Sequence, residues 1–87
     1  MKPSQREIRD CLLTLASGRG MDKTFCPSEA ARRLAPDTWR ELMPQVRAEA
    51  IRLVETGKLR CTQRGHEVDP TNARGPLRFS VPGPDSA

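Results

Sequence analysis

The sequence predicts an α+β chain in which three short helices form the core and antiparallel strands follow. Three observations carry this. Through the first two thirds, apolar residues recur every three or four positions, the period of a helix. After Gly57 the pattern changes to alternation, the period of a half-exposed strand. Glycines and prolines fall where such elements start and stop.

Ser4-Gln5-Arg6-Glu7 has the form of a capping box, in which Ser4 accepts from the amide three residues on and Glu7 reaches back to the Ser4 amide. Ile8, Cys11, Leu12, Leu15 and Ala16 then share one face. Gly18 stands where a left-handed residue costs least, and Gly20 follows it. This predicts a first helix over 5–17. Met21 to Phe25 reads as one brief strand at most. Pro27 suits the first turn of a second helix over 27–35, because its missing amide is an orphan there in any case. Ala30, Ala31 and Leu34 supply its inward face.

Pro36 disfavours helix at Ala35, and Asp37 is a good cap for a separate turn over 38–42. In a continuous helix Pro44 would remove a hydrogen bond and clash with the carbonyl of Arg40. It therefore reads as the first residue of the third helix, 44–56, with Val46, Ala50, Leu53 and Val54 inward and Gly57 at the end. Leu59, Cys61 and Gln63 alternate to one side of a strand over 59–64, and a second strand follows over 77–81. The link between them is too long for a tight hairpin. Within it, Asp69-Pro70 and Gly75-Pro76 predict a single helical turn capped at both ends. The domain is expected over 1–81, and residues 82–87 read as a frayed tail.

Helix, brief strand, helix, turn, helix, strand, long loop, strand is the order of a winged helix-turn-helix with a two- or three-stranded antiparallel wing. The runs CPSEAARRLAPDTWRELMPQVRAEAIRLVETGKL and VDPTNARGPLR resemble a family of small bacterial winged-helix domains of uncharacterised function. The resemblance covers about residues 6–81. It implies a winged-helix fold, and it brings no activity, ligand or catalytic residue with it.

Composition narrows the function classes. At 87 residues the chain is too short for a barrel enzyme or a doubly wound nucleotide-binding domain. One Trp, two Phe and no Tyr leave no aromatic platform for sugars or bases. Fifteen basic against 11 acidic residues give a net charge of +4, which favours an anionic partner. Three cysteines without a close pair argue against a disulfide framework and for a reducing cytoplasm. The first ten residues hold no apolar run, and no stretch approaches the roughly 20 apolar residues of a membrane span. A soluble cytoplasmic protein without a membrane partner is expected.

In this fold the second helix of the helix-turn-helix lies in the major groove of DNA. Gln45, Arg47, Ala48, Glu49, Arg52 and Glu55 are expected to face outward from it, with Gln45 suited to adenine and Arg47 or Arg52 to guanine. The charges of Arg47, Glu49, Arg52 and Glu55 cancel, as on an ordinary solvated face. Residues 58–81 hold Lys58, Arg60, Arg64, Arg74 and Arg78 against Glu67 and Asp69. Arg60 and Arg64 suit phosphates, with Arg64-Gly65-His66 as the wing tip. Arg74 reads as a structural partner of Asp69.

Cys11, Cys26, Cys61 and His66 lack the close pairs of a zinc site, so no metal and no cofactor is expected. Trp39, beside Met43, reads as a core plug rather than a ligand stacker, packed against the first helix or the sheet with its indole partly covered. No phosphate loop, carboxylate pair or triad spacing is present, and the chain is not expected to be an enzyme. Two readings follow. One is a DNA-binding, regulatory winged-helix protein. The other is a protein-interaction module on the same scaffold without nucleic-acid contact. The sequence holds no spare helix for a dimer interface, which favours a monomer.

Overall fold

The computed structural model describes residues 2–20 and 23–82. Helix α1 spans Gln5–Arg19. Its capping box forms, with the Glu7 amide donating to Ser4 Oγ at 3.1 Å and the Ser4 amide donating to Glu7 Oε1 at 3.0 Å. The helix outruns the expected 5–17. Gly18 stays helical, and the stop is Gly20, at φ 79°, whose amide donates to the Ala16 carbonyl. The two extra residues bring Arg19 to Glu29 of the next helix and to the Thr24 carbonyl, contacts that residue spacing alone does not reveal.

Helix α2 spans Pro27–Leu34. Pro27 occupies its first position, and Glu29 turns back to accept from the Cys26 amide at 2.9 Å. The same carboxylate pairs with Arg19, so one residue caps α2 and ties it to the end of α1.

Helix α3 runs unbroken over Trp39–Glu55 with Pro44 inside it. The expected start at Pro44, and the separate turn over 38–42, are therefore wrong. Leu42, Val46, Ala50 and Leu53 form one buried stripe that a break at Pro44 would divide. Burying each large side chain is worth about 1.5–3 kcal/mol. Several of them offset the roughly 3 kcal/mol that an interior proline costs. Pro44 is itself exposed, and so is Arg40, whose carbonyl is the one an amide at position 44 would have served.

Three antiparallel strands follow: β1 Arg60–Gln63, β2 His66–Glu67 and β3 Arg78–Ser80, in the order β2-β1-β3. The register pairs Gln63 with His66 and Cys61 with Phe79. The link from β1 to β3 is long, as expected, but its first residues turn back tightly to form β2. Arg64 and Gly65 adopt φ 54° and 83°, the pair of positive angles that a two-residue turn matched to strand twist requires. The brief strand expected over 21–25 reduces to Phe25, which bridges Phe79; Met21 and Asp22 lie outside the described residues. So does the tail beyond Pro82.

The architecture is α+β, three helices against a small antiparallel sheet, an order compatible with a winged-helix layout. Leu12 and Leu15 of α1, Ala30 and Ala31 of α2, Val46 and Leu53 of α3, and Phe25 and Phe79 share one core. The two phenylalanine rings meet at 6.2 Å between centroids. No described helix is long and apolar enough to cross a membrane.

Two predictions follow from these contacts. Pro44→Ala restores an amide donor to an exposed helix interior and should stabilise the fold by about 2 kcal/mol in urea unfolding. The hydrogen bond from Arg19, together with the Cys26 amide, holds the Glu29 carboxyl below the usual carboxylate range. Its contribution to stability is complete above the unfolded pKa, about 4.3, and is lost as pH falls through the lower folded value. Glu29→Gln should therefore lower the midpoint of thermal unfolding at pH 7, and the gap to the parent should close as the pH falls below about 4.

Candidate functional site

Arg47 and Arg52 are five residues apart on α3, about 140° around an axis that turns about 100° per residue. They consequently line different surfaces. Gln45, Ala48 and Arg52 face the start of α1, near Pro3 and Gln5. Arg47 lies on the opposite flank, with Met43 and Ile51, facing the start of α2 and the 70–77 loop. Arg60 sits on a third surface with Val54, Glu67 and Asp69, half-buried, its Nε without a hydrogen-bond partner. Arg64 is exposed at the β1–β2 turn beside the exposed His66. The five residues expected to contact DNA do not form one face.

Glu49, expected outward, is 3% exposed. It stands three residues after Val46 and four before Leu53, on the side of α3 that packs on α1. Its Oε1 accepts from Gln5 Nε2 at 2.9 Å, and its Oε2 has no partner.

The flank that carries Arg47 is concave. A groove of about 820 Å³ runs between α3, the first turn of α2 and the 70–77 loop. Trp39, Met43, Ile51 and Leu77 give it an apolar surface, and Arg47 and Arg74 stand at it. None of its described lining residues is acidic. Trp39 is half-buried and packs against the core, its indole partly covered as expected. The Arg32 guanidinium lies 4.4 Å from the centre of its ring and the Arg40 guanidinium 5.2 Å, close enough for cation–π attraction to both.

The loop wall of this groove is built locally. Asp69 Oδ1 accepts from the Thr71 amide at 2.9 Å and from Thr71 Oγ1 at 2.6 Å, and Oδ2 accepts from Asn72 Nδ2 at 3.0 Å. These bonds hold the Asp69 carboxyl below its ordinary value, Thr71 contributing most. The Asn72 and Ala73 amides donate to the Asp69 carbonyl, which closes the expected single turn. Gln63, expected to face the core, is only half-buried, and its Nε2 donates to the carbonyls of Arg74 and Pro76. The expected Arg74–Asp69 pair does not form. Thr71 and Asn72 already occupy the Asp69 oxygens, and the Arg74 side chain is exposed instead.

The cysteines offer little reactivity at this site. Burial pushes the Cys11 thiol up, and it pushes Cys61 up to about 11, so both stay protonated at neutral pH. Cys26 is half-buried at the groove edge, where Ser28 Oγ donates to its Sγ at 3.2 Å. No group of three or more metal-ligating side chains occurs among the described residues. The groove had a partial signal in the sequence, because Trp39, Met43 and Ile51 recur at helical spacing. Which loop faces them is set only by the tertiary fold.

The wall is testable. Asp69→Ala removes the turn's cap and should cost about 1 kcal/mol. Gly75 has φ 92°, and a Cβ there would come within 3.3 Å of Gln63 Nε2. Gly75→Val should therefore lower the melting midpoint further than Asp69→Ala, because a β-branched residue is strained at that angle.

No curated protein matches the sequence. A family model described as "Protein of unknown function (DUF3253)" matches residues 5–82. That span takes in all three helices, all three strands and both walls of the groove, and the chain accordingly belongs to the DUF3253 family.

Proposed function

We propose that this chain is a non-enzymatic winged-helix module that binds another protein through the groove between α3 and its wing loop. In this reading α2 and α3 are the helix-turn-helix, Phe25 is the remnant of the first strand, and residues 63–77 are the wing. The observation that carries the function is the partly exposed apolar surface of Trp39, Met43, Ile51 and Leu77, which lines a groove between α3 and a hydrogen-bonded loop wall. A concave apolar surface of this kind gains by burial, at about 25 cal/mol per Å² removed from water, and it marks interaction sites on small proteins. Because Gln63 and Asp69 fix the wing wall in advance, little ordering cost falls on binding.

Double-stranded DNA is the competing reading, favoured by the arginines gathered near this groove. Two features count against it. Apolar side chains at the bottom of a cleft gain nothing from phosphates. The exposed charges of α3 are mixed as well, with Glu41 and Glu55 among Arg40, Arg47 and Arg52, which is a poor surface for a polyanion.

Selection of displayed random peptides on the immobilised protein, with a groove-blocked Met43→Lys, Ile51→Lys variant as counter-target, tests the reading. Peptides that hold the parent and not the variant are expected. In parallel, a random-sequence duplex at low salt should bind no more tightly than about 10⁻⁴ M, the weak end of non-specific binding. Failure to enrich any groove-dependent peptide, together with tight and steeply salt-dependent duplex binding, would replace this reading with the DNA one.

A further inference from the structure

We infer that the partner of this groove is an acidic peptide segment with one or two large apolar anchor residues flanked by Asp or Glu. The inference rests on the groove being a protein-docking site, and it concerns what that site selects. Arg47 of α3 and Arg74 of the loop line the groove from its two walls, and the guanidiniums of Arg32 and Arg40 lie against the ring of Trp39, itself a lining residue. Among the described residues none of these four guanidiniums makes an ion pair; the ion pair there is Arg19–Glu29, elsewhere on the molecule. Two cations in the lining of an apolar cleft and two more against its tryptophan, with no carboxylate among the described lining residues, constitute a charge pattern without a complement at the cleft itself.

Each half of the pattern selects something different. The apolar surface takes a leucine- or phenylalanine-sized side chain, and about 820 Å³ is room for an anchor with its neighbours. The rim reads the flanking residues. Arginine presents a planar fork that a carboxylate meets with two parallel hydrogen bonds. Arg47 on the helix wall and Arg74 on the loop wall lie on opposite sides of the cleft, so carboxylates on both flanks of an anchor find partners. A basic segment with the same anchor would set like charges against Arg47 and Arg74, and a neutral one would forgo both. Steering by the rim should also speed encounter at low salt.

The experiment titrates the whole chain with synthetic 12-residue peptides and follows the fluorescence of Trp39, the chain's one tryptophan, which lines the cleft. The probes are an acidic peptide with a Phe/Leu anchor, the same peptide with every Asp and Glu replaced by Lys, and the acidic peptide with its anchors replaced by Ser. At about 50 mM salt the acidic anchored peptide should bind at least tenfold more tightly than the Lys peptide, and the gap should shrink toward about 0.5 M salt as charges are screened. The anchor-free peptide should bind weakly or not at all. An Arg47→Glu, Arg74→Glu variant, altered only at exposed positions, should reverse the preference in favour of the Lys peptide. Equal binding of the acidic and Lys peptides by the parent, both lost in the Met43→Lys, Ile51→Lys variant, would overturn the acidic partner while leaving the docking groove intact. If the Trp39 signal responds to random duplex DNA and to none of the peptides, both the acidic partner and the docking groove are overturned.

Discussion

Phe25 and Phe79 exchange both of their backbone hydrogen bonds, each at 2.8 Å, and pack their rings against each other, tilted, in the core. This one pairing joins the helical half of the chain to the strand half, across more than fifty residues of sequence. Phe25 is followed directly by Cys26 and Pro27, so the bridge fixes where α2 begins. Phe79 is the middle residue of β3, so it also fixes the sheet edge from which the 70–77 loop departs. Arg78 adds to the join by donating to the Thr24 side chain and carbonyl. Without this clasp the first turn of α2 and the loop would have no defined separation, and the cleft they share with α3 would have no defined width.

Around that clasp, many of the polar side chains bind backbone groups, and some of them bind one another as well. Ser4 and Glu7 cap α1, Glu29 caps α2 and grips Arg19, Asp69 caps the loop turn, and Gln63 holds two loop carbonyls. A small domain buries a modest share of its surface and has a thin stability margin. Local satisfaction of backbone groups is an efficient use of its few polar side chains. It also leaves most of the arginines without an ion pair among the described residues, Arg47 and Arg74 at the groove among them.

Much of this could be read from residue order. The capping box at Ser4, the proline at the head of α2 and the change of period after Gly57 each have a local physical cause, and each element appears where that cause puts it. What escaped was set by contacts distant in sequence. Pro44 looked like a helix start because the local cost of an interior proline is large; the buried stripe that outweighs it counts only once α1 and α2 cover α3. Glu49 looked exposed because it is charged, although its spacing from Val46 and Leu53 puts it on the packed face. The β2 hairpin was hidden because its turn begins with Arg64, which takes a positive φ without the Asn or Asp that usually announces one. The expected DNA-contact residues were chosen by charge and outwardness alone. Neither property says on which of three separate surfaces an arginine will stand.

The manner in which Gln63 holds the wing loop has a consequence for how such a module could diversify. Its amide grips the main-chain carbonyls of Arg74 and Pro76, not their side chains. The position of the wall is thereby uncoupled from the identity of what it displays. Thr71, Asn72 and Arg74 are exposed, and of these Arg74 contributes only its backbone to the scaffold. A replacement at that position rewrites the chemistry of the cleft while its shape persists. The loop thus behaves as an interchangeable cartridge, in which new selectivity can arise one residue at a time without refolding the frame that presents it.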